Sequence, residues 1–234
     1  MNALLLAAGL GERLRPLTER VPKCLVPIDG VPLLDLWLSA LEAAGIERVL
    51  INTHHLPDAV RRFVDRRRNR VDIVLSHEPV LLGSGGTLAR HRDWAAAGPF
   101  LVAYADNLTN MDLGALIRFH RAGSAVASLA VYETDEPEKK GIVDVDEAWG
   151  VRHFEEKPSC PRSRWANAGI FVAEPAVAAL LPEYVPADLS RDLMPRLAGR
   201  ARAFPIVGYI RDIGSLADYA LAQVEWPAAR GAIS

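Results

Sequence analysis

The stretch "NALLLAAGLGERLRPLTERVPKCLVPI", residues 2–28, decides the fold of this chain. Its first part, "NALLLAAG", is apolar almost throughout and stops at Gly9, which is typical of a strand buried on both faces of a parallel sheet. A loop that carries Gly11, Arg13 and Lys23 follows the strand directly. Ligands bind at the carboxyl ends of strands in such sheets, so the sequence places this loop at a ligand site.

Strand and helix patterns then alternate through the first half of the chain. Helical patterns occur in "PLLDLWLSALEAAG", "PDAVRRFVDRR", "GGTLARHRDWA" and "MDLGALIRFHRAG", and the strand patterns between them are "RVLINT", "VDIVLSHE" and "PFLVAYAD". Parallel strands need long crossovers, which are usually helices. The alternation therefore predicts an α/β fold with helices on both faces of a sheet.

The rhythm changes after Ala122. The segments "AVASLAVYETDE", "GIVDVDE", "GVRHFEEKP" and "NAGIFVA" read as strands separated by turns, with short helices near residues 175–181 and 190–197. We expect a partly antiparallel addition to the same sheet. The last segment predicts one strand that ends at Asp212, followed by a helix whose apolar stripe is Leu216, Tyr219, Ala220 and Val224.

Composition excludes several classes of protein. The 27 Lys and Arg residues nearly balance the 29 Asp and Glu residues, so the chain lacks the basic field of a nucleic-acid binder. The two cysteines match neither a zinc site nor a disulfide framework, and no signal peptide or membrane-spanning apolar run is visible. We therefore expect a cytoplasmic protein with no nucleic-acid or membrane partner.

The loop after the first strand has the character of an anion site. Its glycines allow backbone amides to approach a ligand, and Arg13, Arg15 and Lys23 supply positive charge. It matches no Walker loop, and Leu14 stands where a dinucleotide fingerprint has its third glycine. Three prolines, at positions 16, 22 and 27, predict an extended cationic arm that lies along a triphosphate.

The pattern L-A-A-G-x-G-x-R-L-x-P-L-T-x-x-x-P-K-x-L-V-P resembles the signature of the sugar-1-phosphate nucleotidylyltransferases. "LGSGGTL", "ADN", "GIVDVDE", "EEKP", "NAGIFV" and "RDIGSLADY" follow in the family's order, so the resemblance covers essentially the whole chain. It implies a three-layer, Rossmann-like mixed sheet flanked by helices, in a single nucleotidyltransferase domain over residues 1–234. Residues 1–122 would mainly bind the nucleotide and residues 123–234 the sugar. The implied substrates are a nucleoside triphosphate and a sugar 1-phosphate, and the products an NDP-sugar and pyrophosphate.

The resemblance also implies a set of site residues. Catalytic roles fall to Arg13, Lys23, Asp106 and Asp212, and the two aspartates would bind Mg²⁺, which prefers a few carboxylates with phosphate oxygens and waters. Nucleotide binding is assigned to Leu6, Ala8, Gly9, Gly11, Glu78, Gly83, Gly85, Gly86 and Thr87. Sugar-phosphate binding is assigned to Gly141, Glu156, Lys157, Asn167 and Gly169.

The substrates are less sharply indicated than the reaction. By resemblance the motifs favour GTP with mannose or heptose 1-phosphate, and the nearest alternative is uridylyl transfer to a sugar such as N-acetylmuramic acid 1-phosphate. Two functions of a different class stay open: a catalytically silent nucleotide-binding regulatory subunit, and a glycosyltransferase that consumes nucleotide sugars. We expect a monomer or homodimer without a C-terminal β-helix.

Three positions depart from the family's pattern. Ala105 stands where the family usually has glycine, Ser84 where threonine is commoner, and Cys24 where proline is frequent. None of these changes removes a charged group. The resemblance therefore still implies activity.

Overall fold

A computed structural model describes residues 1–231, which form thirteen strands and six α-helices. The strands are β1 (Asn2–Leu6), β2 (Pro27–Ile28), β3 (Val31–Pro32), β4 (Arg48–Thr53), β5 (Asp72–His77), β6 (Phe100–Tyr104), β7 (Asn107–Thr109), β8 (Ala127–Glu133), β9 (Gly141–Val145), β10 (Val151–Glu156), β11 (Trp165–Ala173), β12 (Ala201–Pro205) and β13 (Ile210–Asp212). The helices are α1 (Leu33–Ala43), α2 (Pro57–Arg66), α3 (Gly83–Arg90), α4 (Arg92–Ala95), α5 (Leu113–Ala122) and α6 (Leu216–Gly231).

One mixed sheet organises the molecule, as the sequence predicts. Its main path runs β10-β9-β11-β6-β1-β4-β5, and β8 pairs with β11 and β12. The strands of the first half, β6, β1, β4 and β5, are parallel, whereas β11 joins β6 in antiparallel orientation. The change of rhythm after Ala122 therefore marks the point where the sheet becomes partly antiparallel.

Both faces of the sheet are covered, and the side chains of β1 show this because they pack in two separate cores. Ala3 and Leu5 pack in the core that contains α1 and α5, and Leu4 and Leu6 pack in the core on the opposite face. Successive strand residues point to opposite faces, so an apolar run without alternation is what a strand in the middle layer needs. The predicted three-layer architecture is confirmed.

The prediction of one continuous strand up to Asp212 is wrong. β12 pairs with β8 in the main sheet, and β13 pairs with β7 in a separate two-stranded ladder. Between them Gly208 has a φ of +129°, a conformation that side chains disfavour. The chain turns there and carries β13 away from the main sheet toward the residues that follow β6.

The predicted apolar stripe of α6 is also wrong in part. Leu216 is 46% exposed and Val224 is 77% exposed, while Ala222 and Trp226 are buried. The buried face of α6 therefore differs from the predicted one. Trp226 lies on the observed buried face and packs beside Tyr209, with the ring centroids 5.9 Å apart. In residues 1–231, neither α6 nor another helix is long and apolar enough to cross a membrane.

Candidate active site

The loop between β1 and β2 is compact, which corrects the prediction of an extended arm. It contains single helical turns at Glu12–Leu14, Leu17–Glu19 and Lys23–Leu25. Each turn is closed by a backbone bond between residues three apart, such as Leu25 N–H to the Pro22 carbonyl at 2.8 Å. Proline lacks only the N–H that the first position of a turn does not use, so Pro16 and Pro22 precede these turns without disrupting them.

Gly11 fixes the start of this loop. Its φ is +66°, and a Cβ at this position would lie 2.8 Å from Thr18 Cγ2. The Thr18 hydroxyl donates to the Gly11 carbonyl at 2.7 Å, so both backbone conformation and close approach require glycine. Nearby, Leu6 and Ala8 are buried at the end of β1, whereas Gly9 is exposed and a Cβ added there would have no atom within 4 Å.

The loop carries Lys23 to the two predicted metal carboxylates. The Lys23 ammonium donates to Asp106 Oδ2 and lies 3.9 Å from Asp212 Oδ1. Only 10% of the Lys23 side chain is exposed. The ladder between β7 and β13 pairs Asn107 with Asp212, and Ile213 N–H donates to the Asp106 carbonyl at 2.9 Å. This ladder brings together two acids that are far apart in sequence.

The charges of this cluster depend on one another. Burial raises the pKa of Asp212, and the neighbouring Asp106 carboxylate raises it further. Lys23 and Arg13 oppose this rise because positive charge favours the ionised carboxylate. A Cβ at Gly214 would lie 2.9 Å from Arg13 Nη2 and 3.0 Å from Asp212 Oδ2, so the guanidinium lies near the Asp212 carboxylate.

The glycines of α3 have a packing role in this structure, and their assignment to nucleotide binding stays a prediction. The N–H groups of Gly85 and Gly86 donate to the Ala187 carbonyl at 2.9 and 3.2 Å. Gly83 has a φ of +76°, and a Cβ there would lie 2.2 Å from Ala187 O. Only glycine lets the start of α3 meet the backbone near residue 187.

Glu78 and Thr87 also support the loop from inside the protein. The Thr87 hydroxyl and the Asn52 amide donate to Glu78 Oε1 at 2.6 and 2.9 Å, and Leu82 N–H donates to Glu78 Oε2 at 3.1 Å. Glu78 is only 2% exposed and Thr87 is fully buried. In this structure the two side chains support the loop from beneath, and their assignment to nucleotide binding stays a prediction.

The segment 187–193, called here the strap, covers the start of α3. The Ser84 hydroxyl donates to Asp188 Oδ2 and accepts from Leu189 N–H, both at 2.9 Å. Asp192 is buried and accepts from Asp188 N–H at 2.7 Å, from the Tyr184 hydroxyl at 2.8 Å and from the adjacent arginine. The Asp192 carboxylate therefore holds the strap in shape.

We expect acid to weaken the strap. The hydrogen bond from Arg191 is the largest cause that lowers the pKa of Asp192 below its ordinary value. The ionised carboxylate therefore stabilises the fold above the unfolded pKa of about 3.9, and this contribution is lost as the pH falls through the lower folded pKa. Asp192→Asn should lower the melting temperature at pH 7 and flatten its decline between pH 5 and pH 3. Asp65→Asn, at an exposed position, is the control. An equal decline of the melting temperature in the wild type, Asp192→Asn and Asp65→Asn would contradict the stabilising role of the Asp192 carboxylate.

A polar cavity of about 660 Å³ opens beside the cation–carboxylate cluster. Eight predicted site residues line it: Arg13, Asp106, Gly141, Glu156, Lys157, Asn167, Gly169 and Asp212. Lys23 does not line the cavity itself but contacts Asp106 and Asp212, which do. The predicted nucleotide residues do not line this cavity; they lie around the carboxyl ends of β1 and β5.

One wall of the cavity is the pair β9 and β10. Gly141 is opposite Glu156, and a Cβ at Gly141 would lie 2.7 Å from Glu156 Oε2. Glycine here leaves space for the carboxylate. Burial raises the pKa of Glu156, Lys157 opposes this rise, and Asp188 adds to it. Lys157 has a φ of +51°, a conformation that is uncommon for residues other than glycine and clusters at functional sites.

A second wall is an irregular point in β11. The register against β8 shifts between Asn167 and Phe171, and Gly169 has a φ of +66°. A Cβ at Gly169 would lie 2.6 Å from the Tyr104 ring, so glycine is needed for this contact. Asn167 Oδ1 accepts from Gly169 N–H at 3.2 Å, which leaves the amide NH₂ group available to the cavity.

The cavity also contains residues that the sequence analysis missed: Tyr104, Asn107, Tyr132, Glu136, Lys139, Lys140, Asp188, Ser190 and Asp218. Tyr104 and Asn107 flank Asp106, and Lys140 precedes Gly141, so proximity to motifs was a usable signal for these three. Asp188 and Ser190 belong to the strap, which has no periodic pattern. Their position depends on tertiary packing against α3.

Comparison with known proteins identifies the family of the chain. A family described as "Nucleotidyl transferase" matches residues 2–227. The "Probable mannose-1-phosphate guanylyltransferase 2" of Oryza sativa subsp. japonica is 34% identical over 227 residues, which cover 94% of this chain and 63% of the relative. The chain thus spans less than two thirds of that relative's length.

Solved structures share the fold at lower identity. A putative glucose-1-phosphate thymidylyltransferase from Bacillus anthracis, in complex with a sucrose, superposes with a TM-score of 0.84 at 21% identity, covering 96% of this chain and 94% of that one. HddC from Yersinia pseudotuberculosis, complexed with GMP-PN, superposes with a TM-score of 0.78 at 23% identity. The match covers 96% of this chain and 99% of that one. With the family match over almost the entire sequence, the chain belongs to the nucleotidyl transferase family.

Proposed function

We propose that this protein transfers a nucleotidyl group from a nucleoside triphosphate to a sugar 1-phosphate. The observation that carries the proposal is the meeting of Lys23, Asp106 and Asp212 at the edge of a polar cavity, with Arg13 beside them. Two carboxylates and two cations at one edge of the sheet suit a phosphate chain and its counter-ion. The family membership of the chain supports the same reaction class.

The reaction needs positioning and charge neutralisation more than acid–base chemistry. An oxygen of the sugar phosphate attacks the α-phosphorus, the bond from that phosphorus to the bridging β-oxygen breaks, and pyrophosphate leaves with the electron pair. Arg13 is exposed at the cavity mouth and is placed to neutralise the pyrophosphate. Lys23 is placed to stabilise the α-phosphate, since its ammonium already lies beside the two acids.

The sugar would lie between β9–β10 and β11. Glu156 is placed to accept hydrogen bonds from sugar hydroxyls, and Asn167 to donate to them. The Lys157 ammonium suits the 1-phosphate. Gly141 and Gly169 have no side chain that would fill the space.

The donor set fits Mg²⁺. Asp106 and Asp212 supply two hard carboxylates, and Mg²⁺ is usually held by one or two carboxylates together with substrate phosphates and waters. Residues 1–231 contain no group of three or more His, Cys, Asp or Glu side chains arranged around a common point. When bound, the ion would supply charge stabilisation to the phosphates. Removal of divalent cations by EDTA should abolish turnover, and added Mg²⁺ should restore it.

We propose GTP as the nucleotide and mannose or heptose 1-phosphate as the acceptor. The support is the name of the relative with 34% identity, a probable mannose-1-phosphate guanylyltransferase. The motifs also resemble those of enzymes that use GTP with these acceptors. UTP with an acceptor such as N-acetylmuramic acid 1-phosphate is the alternative. A cytoplasmic location and a monomeric or homodimeric state remain predictions.

The test is a panel of four nucleoside triphosphates against several sugar 1-phosphates, scored by pyrophosphate release and by mass of the NDP-sugar. We expect the highest kcat/KM with GTP. Turnover of UTP alone would replace the guanylyl assignment. If no pair releases pyrophosphate, the silent regulatory subunit becomes the better reading, although the chain retains Arg13, Lys23, Asp106 and Asp212.

Lys157→Ala should raise KM for the sugar phosphate more than KM for the nucleotide. The ammonium lines the sugar side of the cavity, and a charge-assisted hydrogen bond contributes roughly 1.5–3 kcal/mol. Initial rates with each substrate varied in turn measure both constants. An equal rise in the two constants would remove Lys157 from the sugar site.

A further inference from the structure

Lys140 stands beside Lys157 on the cavity wall. The Lys157 N–H donates to the Lys140 carbonyl at 2.9 Å, which extends the pairing of β9 with β10 by one residue. Both side chains line the same cavity. In the part of the chain that the structure describes, neither ammonium lies within 4 Å of a carboxylate oxygen. Like charges on neighbouring strand positions are unfavourable without a counter-charge.

The neighbouring Lys139 provides a contrast. Its ammonium donates to Glu136 Oε1 at 2.5 Å, and both side chains are more than half exposed. Lys139 therefore already has a carboxylate partner at the rim. Lys140 has none within the described residues, although it is half-buried and faces the same cavity.

Lys140 shares its cavity with both parts of the proposed site. Glu156, the carboxylate proposed for the sugar hydroxyls, and Asp212, an acid of the phosphate cluster, line the same cavity as Lys140. Burial is the main cause that raises the pKa of Glu156, and Lys157 and Lys140 both oppose that rise. The cavity therefore contains the positive charge of Lys140 together with the two groups between which the acceptor phosphate must lie.

We propose that Lys140 and Lys157 together bind the phosphate of the sugar 1-phosphate. This inference rests on the proposed function and adds Lys140 to the residues that select the acceptor. The acceptor phosphate must lie between the group that binds the sugar ring and the groups that bind the α-phosphate. Lys140 and Lys157 line the cavity that contains both groups, and two ammonium groups can bind separate oxygens of one dianion.

The test measures binding in the absence of nucleotide, so that it does not depend on turnover. Calorimetry compares mannose 1-phosphate with free mannose on wild type, Lys140→Met, Lys140→Arg and Arg152→Met; Arg152 is an exposed cation on β10 that does not line the cavity. We expect Lys140→Met to weaken mannose 1-phosphate at least tenfold, Lys140→Arg to recover most of the affinity, and Arg152→Met to change it less than threefold. Affinity for free mannose should be the same in all four proteins.

Three results would overturn the inference. The first is unchanged affinity of Lys140→Met for mannose 1-phosphate, and the second is an equal loss for phosphate and free sugar, which would indicate a contact with the ring. The third is a wild type that binds the 1-phosphate no better than the free sugar. Failure of the proposed function would look different, because the wild type would then bind the sugar phosphate and release no pyrophosphate with any triphosphate.

The two KM values measured during turnover give a second test. A purely structural role of Lys140 would change KM for both substrates, whereas a phosphate contact would change only KM for the sugar phosphate. Lys140→Met should raise KM for the sugar phosphate tenfold or more and leave KM for the triphosphate within twofold. A parallel rise in both constants would count against a specific phosphate contact. Unchanged melting temperatures of the variants show that the fold is intact.

Discussion

Asp106→Asn is expected to lower kcat at least a hundredfold while the protein stays folded. The amide has nearly the shape of the carboxylate and can still accept the hydrogen bond from Lys23, so the local packing is preserved. It loses the negative charge that a hard divalent ion requires, and metal assistance is worth several kcal/mol in the transition state. Steady-state rates across a range of Mg²⁺ concentrations, with the melting temperature, measure both effects.

Asp144→Asn is the matched control, because this acid lies on β9 and does not line the cavity. It should leave kcat within twofold of the wild type. If Asp106→Asn kept the wild-type rate at saturating Mg²⁺, the assignment of Asp106 as a metal ligand would be wrong. A loss of rate together with a lower melting temperature would indicate a structural effect.

Gly83→Ala is expected to destabilise the fold by roughly 2–5 kcal/mol. A left-handed backbone costs about 1–2 kcal/mol for residues other than glycine, and overpacking in a close-packed interior adds about 1–3 kcal/mol. Here the new Cβ would lie 2.2 Å from the Ala187 carbonyl oxygen, so either α3 or the strap must move. Urea unfolding measures the change in unfolding free energy.

Gly45→Ala separates the two contributions. Gly45 has a φ of +75°, nearly the same as Gly83 at +76°, but no atom lies within 4 Å of its added Cβ. This variant should lose only the backbone component, about 1–2 kcal/mol. Equal losses in the two variants would show that the contact with Ala187 does not constrain Gly83.

The first half of the sheet was predictable because three of its strands, β1, β4 and β6, are buried on both faces. "RVLINT" and "PDAVRRFVDRR" gave the bounds of β4 and the start of α2 correctly, since apolar runs and Pro57 mark them locally. The stripe of α6 was not predictable in this way. Apolar side chains occur on several faces of that helix, so the helical spacing of apolar residues does not identify the buried face. The contact of Trp226 with Tyr209 determines which of these side chains are buried.

The candidate site was predictable where charge or glycine occurs inside a motif. The resemblance pairs Asp106 with Asp212, and both acids approach Lys23 in the structure, although β13 belongs to a different ladder than expected. The loop between β1 and β2 was predicted as extended because proline disfavours long helices, but single turns tolerate proline at their start. The packing of Gly85 and Gly86 against Ala187 was not predictable, because Ala187 is about a hundred residues away in sequence.

The short ladder of β7 and β13 has a consequence for inactivation. It joins Asn107 to Asp212, and Thr109 and Asn110 bind the backbone near residues 209 and 229. The second acid therefore reaches its partner only while the final strand and helix stay docked. Mild heat or limited proteolysis that detaches this terminal region should abolish turnover while the parallel strands remain protected from hydrogen exchange.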